Sequence, residues 1–118
     1  MPRLVIVESP YAGDVERNTR YAYACMRDAL SRGEAPLASH LLFPQFLDDT
    51  IPEERNLGMH AGLAWVRVAH ATVVYADLGI SRGMAIGIEK ATRWRRYVEL
   101  RLLGGEWATE ADSVHPRR

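Results

Sequence analysis

Residues 71–91 read ATVVYADLGISRGMAIGIEKA, and the fold turns on them. Ala71 to Ala76 is a short unbroken apolar run rich in β-branched residues, the pattern of a strand buried on both faces of a parallel sheet. A glycine-bearing turn from Asp77 to Gly83 follows, and a helix is expected from about Ser81 to Trp94. In open α/β sheets such a junction is where ligands bind, because loops and helix N-termini converge at the carboxyl ends of strands.

A second junction of the same kind lies near the start of the chain. Leu4 to Val7 is another β-branched apolar run, and it ends in Glu8-Ser9-Pro10-Tyr11-Ala12-Gly13, a stretch of strong turn chemistry. Asp14 is placed to cap the following helix, with Glu16 in its first turn where the dipole favours an acid. Val15, Thr19, Ala22, Met26 and Ala29 recur at spacings of three and four, so one helix face packs on the sheet until Gly33 stops it.

Between the junctions, Ala35 to Ser39 reads as a weaker strand, and Pro36 assigns it to an edge. An irregular stretch from His40 to Asp49 carries Leu41, Leu42, Phe43, Phe46 and Leu47, so it is expected to fold over the crevice or pack against another subunit. Thr50 and Glu53 have capping-box spacing with Pro52 in the first turn, and the helix they open has the apolar stripe Leu57, Ala61, Ala64, Trp65 and Val68. Tyr97 to Leu102 supplies a fourth strand. Gly104 and Gly105 end a single domain spanning 1–105, leaving 106–118 as a polar tail.

This β-α-β-α-β-α-β order carries no hairpin signal. Right-handed crossovers then predict an α/β, three-layer, doubly wound parallel sheet of about four strands in the order 2-1-3-4, flavodoxin- or Rossmann-like. The topological switch falls between the first and third strands. The loops Glu8 to Gly13 and Asp77 to Gly83 are expected to face each other across one crevice.

Composition narrows the function classes. The chain has 118 residues, with 15 basic and 15 acidic side chains, so no global field draws it to nucleic acid or membrane. Arg93, Arg95 and Arg96, and the closing pair Arg117 and Arg118, read as solvated ends rather than a nucleic-acid footprint. The single Cys25 lies in a helical pattern and reads as a packed thiol. No signal peptide is legible and no apolar run approaches the roughly 20 residues of a membrane span, so a cytoplasmic protein is expected. The four histidines have no metal-ligand spacing with Cys25, and no metal is expected.

The first loop offers Glu8, the Ser9 hydroxyl, Tyr11 and backbone amides around Gly13, a set suited to a phosphate or a sugar hydroxyl. The second offers Asp77, Ser81, Arg82 and Gly83. Ser81 can act as a helix cap or as a ligand contact, and Arg82 at a helix N-terminus points to an anionic ligand or partner. Gly83 and Gly87 lie four apart on one helical face, so something approaches that face closely.

The first strand with its Ser9-to-Gly13 turn, the strand Ala71 to Asp77, and Ser81, Gly83 and Ala91 together resemble the nucleoside 2-deoxyribosyltransferase-like proteins, which include nucleotide N-glycosidases. The resemblance covers roughly residues 3 to 102. It implies a parallel α/β fold, homo-oligomers with sites near subunit interfaces, no cofactor, and cleavage of the bond between a nucleobase and a (deoxy)ribose. It also implies a helix carboxylate as nucleophile and a second acid that handles the base. Ser81 matches the serine that contacts phosphate or sugar in nucleotide-acting members.

The departures from that pattern are equally specific. The family's tyrosine, aspartate and nucleophilic glutamate fall on Val5, Ala64 and Gly87. Glu89, two residues on, lies about 200° round the helix, unless a longer turn shifts the match by two residues. Glu89, Glu8 and Asp77 are therefore the catalytic candidates, and Ser9, Tyr11, Gly13, Ser81, Arg82 and Gly83 the substrate contacts. Glu89 can equally be an exposed acid paired with Arg93. His40, Asp48, Asp49 and His60, in or after the apolar loop, are further substitutes nearby in sequence, with His40 and His60 reading as ordinary surface or interface histidines. Three functions are expected from different classes: a glycosidase or transferase for nucleosides or their monophosphates, a nucleotide-binding or sensing protein without chemistry, and an assembly protein using the apolar loop with Trp65, Trp94 and Trp107.

Overall fold

The computed structural model describes residues 1–108. Leu4–Glu8 forms β1, Val15–Ser31 α1, Ala35–Leu37 β2, Ser39–Leu42 α2, Pro52–Val66 α3, Ala71–Tyr75 β3, Arg82–Arg93 α4 and Tyr97–Arg101 β4. The four strands make one all-parallel sheet in the order β2-β1-β3-β4. This is the predicted doubly wound topology, with its switch between β1 and β3.

Strand alternation divides the core into two layers. Val5 and Val7 of β1 and Val73 and Tyr75 of β3 pack with Tyr21, Cys25 and Ala29 of α1. Ile6 points the other way, into a layer with Val66 at the end of α3 and Ala91 of α4. β3 lies between β1 and β4 with both faces covered, so all five of its residues are buried. Burying each such valine contributes roughly 1.5–3 kcal/mol, which is why the run is unbroken.

Helix ends follow the local chemistry in part. The Asp14 carboxylate accepts the Arg17 amide at 3.1 Å, and Gly33, at φ +81°, closes α1 while the Glu34 amide reaches back to the Ala29 carbonyl. The expected capping box on α3 does not form. Ile51 is its N-cap, and the Thr50 hydroxyl instead donates to Asp48 Oδ1 at 2.6 Å. The irregular stretch after β2 is also more ordered than expected, folding into α2 and a 3-10 turn at Phe43–Gln45.

The buried face of α3 differs from the predicted stripe. Gly62 and Val66 are buried, whereas Leu57, Trp65 and Val68 are exposed. The reason is the close approach of α2: a Cβ at Gly62 would lie 2.9 Å from Ser39 Cβ, so only glycine admits the neighbouring helix.

Arg101, at the end of edge strand β4, is 5% exposed and fully engaged. It donates to Glu34 at 2.6 and 2.9 Å, to Glu99 at 2.7 Å and to the Tyr75 hydroxyl at 2.9 Å. Tyr75 in turn donates to Asp28 on α1 at 2.7 Å. The Arg101 guanidinium holds the Glu34 carboxyl below the usual carboxylate range. Among the described residues, no helix is long and apolar enough to cross a membrane.

Candidate functional site

β1 and β3 deliver their loops to opposite faces of the sheet, α1 taking one and α4 the other. Glu8, the last residue of β1, lies on the same side as Ile6 and meets α4 at Gly87. A Cβ at position 87 would sit 2.7 Å from the Glu8 carboxyl carbon and 3.2 Å from Oε1, so the carboxyl occupies the volume of a missing side chain. Burial pushes its pKa up to about 8, and among the described residues no hydrogen bond or ion pair engages it. At neutral pH this acid therefore keeps its proton.

Ser9 follows directly and is 4% exposed. Its hydroxyl lies 2.7 Å from Nε2 of His40, the second residue of α2. Burial pushes the imidazole down to a pKa of about 4, so the ring is neutral in this pair. Tyr11 meets the same ring edge-on, with centroids 6.4 Å apart. Asn18, buried on α1, donates through Nδ2 to the Tyr11 and Ala12 carbonyls at 3.0 Å each and so pins the loop. Gly13 completes the turn at φ +98°, a conformation side chains rarely adopt.

On the β3 side, Ser81 caps α4. Its hydroxyl accepts the Met84 amide at 3.3 Å and its own amide donates to Met84 Sδ at 3.4 Å. Arg82 and Gly83 are exposed in the first turn, and a Cβ at Gly83 would meet nothing within 4 Å. Open space thus adjoins the Glu8–Gly87 contact one helical turn towards the α4 N-terminus.

The other two carboxylate candidates lie elsewhere. Asp77 shares the α1 side of the sheet with Tyr75 and accepts from the Tyr21 hydroxyl at 2.5 Å and from the amides of Leu103 and Gly104 at 2.9 Å. Burial raises its pKa, but the Tyr21 hydroxyl and those amides outweigh it and hold the carboxylate below its ordinary range. Glu89 is an exposed partner of Arg93 at 2.7 Å. The structure therefore brings Ser9 and Tyr11 together with His40 and sets Glu8, the residue before Ser9, against Gly87. It does not bring Asp77 or Glu89 to them.

The sequence offers His40 only as one of several substitutes in the apolar loop and reads it as an ordinary surface or interface histidine, and it does not single out Asn18; both contact the β1 loop. No local pattern flags His40, since its partner Ser9 is 31 residues away. Asn18 carried a usable signal, being an amide one turn after a cap and above a turn with carbonyls to satisfy. Among the described residues, no group of three or more His, Cys, Asp or Glu side chains is placed to hold a metal ion.

The family described as a domain of unknown function (DUF7768) matches residues 3–101, which is every strand and helix of the sheet domain. The chain belongs to that family. This DUF7768 chain thus takes a fold assignment from its own structure and no activity from its family's description. No curated protein matches the chain.

Proposed function

We propose that the chain binds a (deoxy)nucleoside or its monophosphate over the carboxyl ends of β1 and β3 and cleaves the base–sugar bond, by hydrolysis or transfer, with Glu8 as general acid. The Glu8 carboxyl carries this reading: it lies half-buried against Gly87 at the topological switch point, and desolvation there raises its pKa to about 8, which keeps it protonated at neutral pH. When the bond between C1′ and the base nitrogen breaks, its electron pair leaves with the base, which needs a proton. Glu8 supplies that proton, water or an acceptor base adds at C1′, and the proton shed by the nucleophile returns to the Glu8 carboxylate. Ser9 and Tyr11 are the contacts for sugar hydroxyls, and the first turn of α4, with Ser81, Arg82 and Gly83, is suited to a phosphate.

Incubation of a nucleoside monophosphate panel at high enzyme concentration, followed by chromatography for free base, tests the proposal. Glu8→Gln keeps the shape and loses the proton, and is expected to reduce release by about 10²- to 10⁴-fold. No free base from any common nucleotide would end the catalytic claim.

A second reading keeps the crevice without chemistry: a nucleotide-binding or sensing protein. Its support is that Asp77 and Glu89 are both engaged elsewhere, leaving one carboxyl at the crevice. Calorimetric binding without turnover would favour it. A homo-oligomer belongs to either reading, since Leu57 and Trp65 of α3, with Val68 just beyond its end, are exposed apolar side chains that a second copy would cover. A cytoplasmic location, expected from the sequence, is part of the same proposal.

A further inference from the structure

Two departures from local preference meet at one contact. Gly87 sits in the middle of α4, where glycine is a poor helix former, and is nonetheless buried. Glu8 is an acid at the end of a buried strand, with no hydrogen bond or ion pair among the described residues. Each concession makes room for the other, because the carboxyl fills the space a side chain at 87 would take. Glycines four apart lie on one helix face, and at Gly83 that face is open: a Cβ there meets nothing within 4 Å. Local costs of this kind are expected at functional or strained sites.

We propose that Gly87 is the positioning residue of the site and Gly83 its open floor. The missing side chain at 87 seats the Glu8 carboxyl on α4, and the missing side chain at 83 leaves the adjoining space for the sugar of a bound nucleoside monophosphate. The identity of the ligand rests on the proposed base–sugar cleavage; the seating of the carboxyl does not.

Gly87→Ala separates this role from a merely structural one. The atoms the new methyl meets are the far end of a flexible glutamate, so the carboxyl swings outward while the helix gains a better former. In the full chain labelled with carboxyl-¹³C glutamate, with Glu8→Gln assigning the resonance, the Glu8 midpoint is expected to fall from about 8 towards the ordinary 4.5. The melting temperature should hold or rise, and base release should fall at least about tenfold. Gly83→Leu is expected to leave the Glu8 midpoint in place and weaken binding of the nucleoside monophosphate panel at least about tenfold.

A Glu8 midpoint in Gly87→Ala within about half a unit of the wild type overturns the seating. Unchanged binding in Gly83→Leu overturns the floor. A wild-type chain that neither binds nor cleaves any nucleoside monophosphate defeats the functional reading and the Gly83 role with it, while the ligand-free titration still decides Gly87.

Discussion

At neutral pH the Glu8 carboxyl keeps a proton that the unfolded chain has already given up, and that proton ties folding to pH. Its pKa rises from 4.5 to about 8, so its contribution to stability is whole below 4.5 and drains away as pH climbs to about 8. His40 works in the opposite sense. Its pKa falls from 6.5 to about 4, so its contribution is whole above 6.5 and is lost as pH drops towards 4. Between 4.5 and 6.5 the two slopes oppose each other; from 6.5 to 8 Glu8 acts alone, at up to about 1.4 kcal/mol per pH unit. Thermal melts of the wild type should therefore show a plateau and then a decline above pH 6.5, while Glu8→Gln should stay level through pH 8. Parallel profiles for the two proteins would remove the buried-acid account. The placement of Glu8 was half legible in the sequence. Its place at a strand end was plain, and strand alternation already puts it with Ile6 and puts Asp77 with Tyr75, on opposite faces. The contact between Ser9 and His40 had no such signature, because a pairing across 31 residues is made by the folded sheet and not by any local pattern.

At the scale of elements, Asp77 ties the segment after β4 to the rest of the domain. Its oxygens accept the Leu103 and Gly104 amides, and Trp107 packs edge-on against Tyr21 at 4.9 Å. Trp107 thus packs on the core from within the stretch that composition assigned to a polar tail; 109–118 lie outside the described residues. Asp77→Asn places an N–H donor against these amides. It should raise hydrogen exchange at Leu103 and Gly104 by about five- to twelvefold, the worth of a hydrogen bond of roughly 1 to 1.5 kcal/mol, with β3 amides much less affected. Uniform acceleration across the sheet would instead mean that Asp77 holds the whole fold. Capping was the least legible feature at this scale. Thr50 and Glu53 had the right spacing for α3, yet Asp48 took the Thr50 hydroxyl because a side-chain acceptor two residues away competes with the helix.

For the whole molecule, strand order was the most legible property, since buried β-branched runs separated by helix-length segments admit few topologies. The face α3 turns to the core was not, because hydrophobic periodicity cannot anticipate a second helix docking on a glycine. That misreading leaves Trp65 half exposed, at 50%. If a second copy covers it, Trp65→Glu should lower the solution mass by light scattering to that of one chain without unfolding it; a wild type already at one-chain mass would remove the homo-oligomer from the proposal.

The two rims of the sheet add a constraint on how copies can meet. β2 is only three residues long and has Pro36, which lacks an amide hydrogen, at its centre. At the opposite rim, Arg101 and Glu99 charge β4 and are locked to Glu34 and to each other. Neither rim is a good template for a further strand. The domain is thereby guarded against end-to-end polymerisation through its backbone, which leaves contacts between side chains of helices and loops, rather than main-chain hydrogen bonds, as the means by which a second copy would fit.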